Sequence, residues 1–149
     1  MLIIKNLNEL KKHLTKDKDL VVDEDVRIEF QVPKRELRDV KCRNLFLMKD
    51  DERFDFNGRD FTGGDFNGWN FNGRNFTGRD FNGWNFNGVD FNGGDFTGRN
   101  FNGGNFTGKD ISYYAVFIAN QSVKCTSIKG RRDNSIHKCL DGKIEIVSK

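Results

Sequence analysis

The sequence is poor in proline, in cysteine and in every aromatic residue except phenylalanine. Its 149 residues include one proline, three cysteines, two tryptophans and two tyrosines. Cys42, Cys125 and Cys139 are far apart and odd in number. They do not form the dense cysteine framework of small secreted domains, so a reducing, cytoplasmic setting is expected.

Long apolar segments are also missing. No run approaches the roughly 18 apolar residues needed to span a bilayer. At the start of the chain, Lys5 introduces charge too early for a signal peptide. We therefore expect no contact with a membrane.

Catalytic and cofactor-binding motifs are absent as well. The sequence holds no phosphate loop, dinucleotide-binding motif or serine-hydrolase motif. Cys125, His137 and Cys139 do not have the spacing of paired zinc ligands, and nothing in the sequence implies an acid or amide partner for a catalytic cysteine–histidine pair. We expect no enzyme activity, no metal and no cofactor.

Phenylalanine and glycine, by contrast, are abundant and regularly spaced. The repeating unit, which we call a pentad, is x-[Asp/Asn]-Phe-[Asn/Thr]-Gly, and its regularity argues against the disorder that low hydrophobicity and 32% charged residues would otherwise suggest. The phenylalanines of the repeat, which we expect to form the core, are Phe56, Phe61, Phe66, Phe71, Phe76, Phe81, Phe86, Phe91, Phe96, Phe101 and Phe106.

A period of five matches neither an α-helix nor a flat strand, and a glycine in every pentad would destabilise a helix. Asn-Gly and Thr-Gly favour turns, because glycine accepts positive φ. The chain is therefore expected to turn once per pentad and to stack its coils about 4.8 Å apart, with phenylalanines pointing to a common axis. A large–small pairing of each Phe with the Gly two residues later is one way to fill the interior.

The Asp/Asn-Phe pairs at 55–56, 60–61 and onward resemble the two defining positions of the pentapeptide-repeat family. The resemblance implies an all-β fold, a right-handed four-sided β-helix with four pentads per coil. It covers residues 54–111 and extends upstream through Val40 and Leu45, with a one-residue insertion before Phe56. The chain departs from the family at many of the positions two residues before a Phe, where arginine or tryptophan stands in place of a small inward residue. We expect these side chains to point outward, because burying unpaired arginine is too costly.

Three segments are expected along the chain. Residues 1–35 form an N-terminal α/β cap, in which Asn6 and Glu9 make a capping box for a helix over 7–15 and residues 26–32 alternate as a strand. Residues 36–111 form the solenoid. Residues 112–149 form a degenerate last coil and a β-hairpin cap, turning at Asp141-Gly142.

Eight candidate binding residues stand out against more ordinary interpretations. With four pentads per coil, Arg59, Arg79 and Arg99 would form a ladder that grips phosphate or carboxylate, although each could equally be a solvated charge. Exposed tryptophans are common binding anchors, although they could also shield the glycine-rich surface. A basic cluster follows the repeat, where a solvated loop is the alternative. The remaining candidates are Trp69, Trp84, Lys129, Arg131 and Arg132.

Three functions follow as hypotheses. The first is a protein-binding module that occupies or inhibits a nucleic-acid-handling or defence enzyme, as a phage or mobile-element accessory protein would. Its DNA-mimic version is weakened because residues 54–110 carry five basic and seven acidic side chains. The second is direct nucleic-acid binding through arginine, tryptophan and the basic C-terminal region. The third is a passive scaffold. The oligomeric state is left open.

Overall fold

The computed structural model describes residues 1–78 and 80–147, without the side chain of Asp80. The chain forms a parallel β-solenoid of about seven turns with one short helix near its N-terminus, which confirms the predicted fold class. Helix α1 spans Leu7–His13. The strands are β1 Leu2–Ile4, β2 Leu20–Val21, β3 Val26–Ile28, β4 Val40–Lys41, β5 Leu45–Lys49, β6 Glu52–Arg53, β7 Asp60–Thr62, β8 Phe66–Asn67, β9 Asn70–Phe71, β10 Asn75–Thr77, β11 Asp80–Asn82, β12 Asn85–Asn87, β13 Asp90–Asn92, β14 Asp95–Thr107, β15 Asp110–Cys125, β16 Ser127–Gly130, β17 Ile136–Cys139 and β18 Ile144–Ile146.

The repeat coils have three sides, not four. Phe76 pairs with Phe61 in the coil before it and with Phe91 in the coil after it, so each turn of the repeat takes three pentads. The expectation of a four-sided coil is therefore wrong for this segment. A period of five sets the length of one side but leaves the number of sides to packing, and three phenylalanines per turn already fill the interior.

The phenylalanine core is confirmed, and it is packed in two ways. Every repeat phenylalanine is at most 1% exposed. Along a column the rings stack, as Phe91 and Phe106 do at 4.7 Å and 4°. Between columns they meet edge to face, as Phe71 and Phe76 do at 6.4 Å and 89°. Both geometries are favoured by the ring quadrupole.

Glycine is required in the repeat for space and not for its backbone freedom. No described glycine has a positive φ, so the expected reason for glycine in the turns is wrong. A Cβ on Gly73 would lie 2.7 Å from both the Phe71 ring tip and the Arg59 carbonyl oxygen. The predicted sharing of the interior between Phe and the Gly two residues later therefore holds from Gly58 to Gly78, whereas from Gly83 onward the ring beside each described glycine belongs to the next pentad or to the preceding coil.

The N-terminal coils are wider than those of the repeat. Val40 pairs with Phe61 and Leu45 with Phe66, so a turn there is one residue longer than four pentads. This pairing confirms the upstream extension of the repeat. The insertion before Phe56 forms a small antiparallel hairpin of β5 and β6, with Asp50 at a φ of 53° in its turn.

The N-terminal end of the solenoid is covered by α1. Asn6 caps the helix by accepting a hydrogen bond of 2.9 Å from the Glu9 amide, as predicted. The Glu9 carboxylate accepts from the Lys5 amide instead of from Asn6, so only half of the expected capping box forms. Leu10 is fully buried, and Leu7 and Leu14 pack against the core.

The C-terminal strands continue the solenoid and do not fold into a hairpin. β17 pairs in parallel with Val116–Ala119 of β15, and β18 pairs in parallel with Val123–Cys125. The predicted hairpin is therefore wrong. Asp141-Gly142 lacks the positive φ that a type I′ turn requires, and parallel pairing extends the phenylalanine columns to Val123, Ile128 and Ile144. In the described part of the chain no helix is long and apolar enough to cross a bilayer.

Candidate binding surfaces

The predicted arginine ladder does not form. With three pentads per turn, the Arg74 amide donates to the Arg59 carbonyl, and the Arg99 amide donates to the Trp84 carbonyl at 2.7 Å. Arg59 and Arg99 therefore lie on different corners of the coil. Arg79 lies outside the described residues.

Arg59 is engaged by a carboxylate of the previous coil. Its Nε and Nη2 donate to the two Asp39 oxygens at 3.0 and 2.7 Å, and one coil earlier Arg38 binds Asp19 in the same way at 2.9 and 2.7 Å. The hydrogen bond that Arg59 donates to Asp39 raises the pKa of Arg59, and the one that Arg38 donates to Asp19 lowers the pKa of Asp19. Both pairs are bidentate guanidinium–carboxylate contacts between adjacent coils, so we assign Arg59 a structural role.

Four of the predicted binding residues lie along one corner instead. Trp69 and Trp84, which the predicted four-sided coil would place on neighbouring faces, instead stack in adjacent coils at 5.0 Å and 5°. The Arg99 guanidinium lies 5.2 Å from the Trp84 ring, and that of Arg132 lies 4.9 Å from the Tyr114 ring. Because Gly98 pairs with Tyr113 and Asn100 with Val116, Tyr114 belongs to the coil directly after Arg99. We call this line of five side chains the aromatic–arginine edge.

The edge offers hydrogen-bond donors and ring edges more than open ring faces. Trp84 has Trp69 on one face and Arg99 on the other, which leaves no room for a nucleobase to stack there. The Arg99 Nε is enclosed and has no hydrogen-bond partner among the described residues. Trp69 and Tyr114 are each 39% exposed. The arrangement therefore suits an acceptor-rich ligand that lies along the edge better than one that inserts into it.

The rest of the basic cluster is exposed but belongs to different sides of the coil. Lys129, on β16, pairs with Ser112 of β15, away from the aromatic–arginine edge. The Arg131 amide donates to the Tyr113 carbonyl at 2.9 Å, which places Arg131 beside the edge next to Arg132. Sequence reasoning missed Tyr114, because β15 shifts register between Tyr113 and Val116 and the pentad count fails there.

Aspartates also gather on one side of the coil. The predicted four-pentad coil would place Asp60 over Asp80 and Asp90 over Asp110, but Asp60 and Asp90 lie opposite Asn75 and Asn105. A different set of aspartates occupies equivalent backbone positions in four successive coils, at about 4.8 Å per step. We call it the aspartate face: Asp65, Asp80, Asp95 and Asp110.

One of the other two sides of the repeat alternates aspartate with asparagine, and the remaining side carries Asp55 followed by Asn70, Asn85 and Asn100. On both of these sides, amide groups donate to the neighbouring coil: Asn105 Nδ2 donates to Asp90 Oδ1 at 2.9 Å, and Asn100 Nδ2 donates to Asn85 Oδ1 at 2.9 Å. On the aspartate face, Asp110 accepts from the Ser127 hydroxyl at 2.6 Å, and the Asp65 amide donates to Asn44 Oδ1 at 2.7 Å. Four of the seven aspartates of residues 54–110 thus share one side by backbone register, with Lys109 directly before Asp110 and Lys129 on the same side of the next coil.

Cys42 and Cys125 are buried as free thiols, and His137 contacts the Tyr113 hydroxyl. Burial raises the pKa of the Cys42 thiol to about 12 and raises that of Cys125, so both thiols stay protonated near neutral pH. His137 Nδ1 lies 2.5 Å from the hydroxyl of Tyr113, whose pKa is raised by burial. No group of three or more histidine, cysteine or acidic side chains within the described residues could hold a metal ion.

The solenoid, the stacked phenylalanines and the five-residue spacing are consistent with the pentapeptide-repeat fold. Comparison of the sequence with protein-family models and with curated proteins, and of the fold with solved structures, found no match.

Proposed function

We propose that this chain is a non-catalytic protein-binding module of the pentapeptide-repeat type, which occupies the basic nucleic-acid-binding surface of an enzyme that handles nucleic acid. The observation that carries the proposal is the aspartate face. Its aspartates repeat at one fixed step in four successive coils, on strands held rigidly by parallel pairing. A preorganised line of negative charge complements a surface built to bind phosphates.

The distribution of charge, more than its total, supports this function. The repeat segment 54–110 carries only two more acidic than basic side chains. Four of its seven aspartates share one side by backbone register, with Lys109 at the corner beside Asp110, so the acidic positions there are aligned although the segment as a whole is nearly neutral. Arg59, which weakened the DNA-mimic hypothesis, lies on another corner and is neutralised by Asp39.

Direct nucleic-acid binding is the second candidate, and the aromatic–arginine edge favours it. Arg99 and Arg132 lie two coils apart on one corner, and Arg131 adjoins them. The covered faces of Trp84 count against the stacking that single-strand binders use. A continuous basic stripe from Arg59 to Lys129 would also favour this candidate, but the two residues lie on different sides of the coil.

The first test of the proposal is inhibition of a panel of topoisomerases and restriction endonucleases. A D65N/D95N/D110N variant removes three charges from the aspartate face with isosteric side chains. We expect it to inhibit at least about tenfold less than the original chain, since each lost contact between charges at an interface costs affinity. A D17N/D51N/D133N control makes the same change in charge at exposed positions elsewhere and should inhibit fully.

Fluorescence anisotropy with labelled duplex and single-stranded DNA and RNA separates the two candidates. No binding at about 50 mM salt is expected if the target is a protein. Tight binding that falls steeply by about 200 mM salt, together with equal inhibition by the two triple variants, would replace the proposal with the second candidate.

A further inference from the structure

A cleft lies along one corner of the solenoid, where the wide N-terminal coils meet the repeat. Its volume is about 820 Å³, within the range of roughly 300–1,000 Å³ that is typical of small-molecule sites. We call it the corner cleft. Residues of four successive coils line it, among them Lys18, Lys34, Arg35, Arg38, Asn57 and Asn72. None of these residues belongs to the aspartate face or to the aromatic–arginine edge.

Two of the residues that line the corner cleft have a strained backbone. The φ of Lys18 is 66° and that of Arg35 is 71°, in the left-handed region that residues other than glycine rarely adopt. Lys18 Nζ donates a hydrogen bond of 2.8 Å to the Arg35 carbonyl oxygen, which ties the two strained positions together. Strained residues of this kind concentrate where a protein binds ligands. The backbone therefore indicates a binding site independently of the side-chain charges.

Two arginines at the corner cleft are held in place with donors to spare. The Asp19 carboxylate accepts from Nε and Nη2 of Arg38, and Asp39 accepts from the same atoms of Arg59. A guanidinium group has five N–H donors, so three remain on each arginine. The Arg38 and Arg59 side chains are still 41% and 45% exposed. Both line the cleft, whereas their aspartate partners do not. The aspartates thus fix two guanidinium groups for a further acceptor.

The end of the corner cleft nearest the N-terminal coils, which we call its basic end, has an excess of cations. Of the described residues that line this end, four are basic and Asp17 alone is acidic. Lys34 and Arg35 are exposed and form no ion pair with any described residue. Lys18 lies 3.9 Å from Glu36. This end therefore attracts an anion, and its guanidinium donors favour the oxygens of a phosphate group.

The opposite end, which we call the amide end, is lined by Asn57 and Asn72. Asn72 Nδ2 donates to Asn57 Oδ1 at 3.2 Å across adjacent coils. Within the described residues, Asn57 Nδ2 and Asn72 Oδ1 have no other hydrogen-bond partner. A free amide donor and a free amide acceptor suit the hydroxyl groups of a sugar. No aromatic ring of the described chain lines the cleft, so a nucleobase would have nothing on which to stack.

We propose that the corner cleft binds a small phosphorylated sugar. Its phosphate lies at the basic end, where Lys34, Arg35 and the remaining N–H groups of Arg38 donate to its oxygens. Its hydroxyl groups lie at the amide end, against Asn57 and Asn72. The two ends are one to two coil steps apart, about 5–10 Å, which suits the length of a pentose phosphate.

Nuclear magnetic resonance titration of the isotope-labelled chain tests the proposal at about 50 mM salt. The three ligands are ribose 5-phosphate, inorganic phosphate and ribose. We expect ribose 5-phosphate to shift the resonance of the Gly58 amide, which lines the cleft. It should bind at least about tenfold more tightly than either of the other two, because contacts to the hydroxyl groups add to those made by the phosphate.

A variant of the basic end tests the phosphate contacts. K34Q/R35Q should weaken the binding of ribose 5-phosphate and of inorganic phosphate alike, by at least about tenfold, because both ligands lose charged donors. K138Q/K143Q is the matched control, since it removes as much charge at exposed positions in the last described coil. It should bind both ligands as the original chain does.

A variant of the amide end tests the hydroxyl contacts separately. Asn72→Ala should weaken the binding of ribose 5-phosphate about fivefold and leave that of inorganic phosphate unchanged. Asn87→Ala makes the same change at the equivalent exposed position one coil further along, outside the cleft, and should have no effect on either ligand.

Failure of ribose 5-phosphate to bind, or unchanged binding by K34Q/R35Q, would overturn the proposal. So would an equal effect of Asn72→Ala on both ligands. Tighter binding of a phosphorylated oligonucleotide at the same resonances would also overturn it, because the corner cleft would then hold nucleic acid. The D65N/D95N/D110N variant should bind ribose 5-phosphate normally, which keeps this result distinguishable from failure of the proposed function.

Discussion

At the scale of the residue, each pentad depends on packing a large phenylalanine ring against a glycine, which has no side chain. The Phe ring tips reach the Cα positions of the glycines, and a carbonyl oxygen of the preceding coil closes the same space. Glycine elsewhere lowers stability by leaving the unfolded chain more freedom, so replacing it with alanine often helps. In this repeat the close packing makes replacement of glycine by alanine destabilising instead.

Gly73→Ala should therefore destabilise the chain by about 1–3 kcal/mol, the usual cost of overpacking a well-filled core. The added methyl would lie 2.7 Å from the Arg59 carbonyl oxygen, which cannot move without disturbing the strand pairing. Urea denaturation followed by circular dichroism measures the change. Val89→Ala, at a side chain 47% exposed, is the control and should change stability little. Equal stability of Gly73→Ala and the original chain would contradict this account of the repeat.

Burial of Cys42 predicts a loss of stability at alkaline pH. Burial raises its folded-state pKa to about 12 from an ordinary value of 9.0. The unfolded chain thus loses this proton first, so the stabilising contribution is complete below pH 9.0 and declines as the pH rises toward 12. Unfolding free energies measured from pH 8 to 11 should fall, at up to about 1.4 kcal/mol per pH unit from this group. Cys42→Ala should flatten that slope; an unchanged slope would show that the thiol is not shielded.

At the scale of the element, one coil is held to the next by stacked side chains at its corners as well as by its strands. The aromatic–arginine edge does this with rings and guanidinium groups, and the Arg59–Asp39 pair does it with charge. Exposed ion pairs contribute little to stability. Stacked indoles with a cation above them contribute more, about 0.5–1.5 kcal/mol beyond the area they bury.

Trp84→Ala should accordingly lower the free energy of unfolding by about 1–2 kcal/mol, because it removes both the indole stack and the ring against which the Arg99 guanidinium packs. The parallel indoles at 5.0 Å should also give an exciton couplet in far-UV circular dichroism. Trp69→Phe should abolish the couplet while leaving the fold intact. If the couplet were absent from the original chain, the two tryptophans would not share a corner and the coil would not close in three pentads.

At the scale of the whole molecule, the solenoid, its phenylalanine core and the helix near its N-terminus could be predicted from the sequence, because each rests on a local pattern. The number of sides could not. It depends on how phenylalanine rings from different pentads fill a shared interior, as Phe71 and Phe76 do edge to face. That one error misplaced Arg59, Arg99 and the stacked aspartates together.

The C-terminal end was misjudged for a related reason. Asp141-Gly142 between two apolar runs is a strong hairpin signal when only near neighbours are considered. Parallel pairing with β15 is favoured because it places Ile144 over Val123 and extends the existing hydrophobic core. No local sequence pattern contains this information. Tyr114 was missed because the register shift that brings it to the aromatic–arginine edge lies beyond the last pentad.

The three-pentad turn gives the repeat a reading frame. Three inserted or deleted pentads would lengthen or shorten the rod and keep every later side chain on its present side. One or two would rotate all later residues by a third or two thirds of a turn, breaking the line of Asp65, Asp80, Asp95 and Asp110 while leaving each phenylalanine in the core. Growth of this gene by slippage within the repeat could therefore preserve the fold at every length, but would preserve its surfaces only in steps of three.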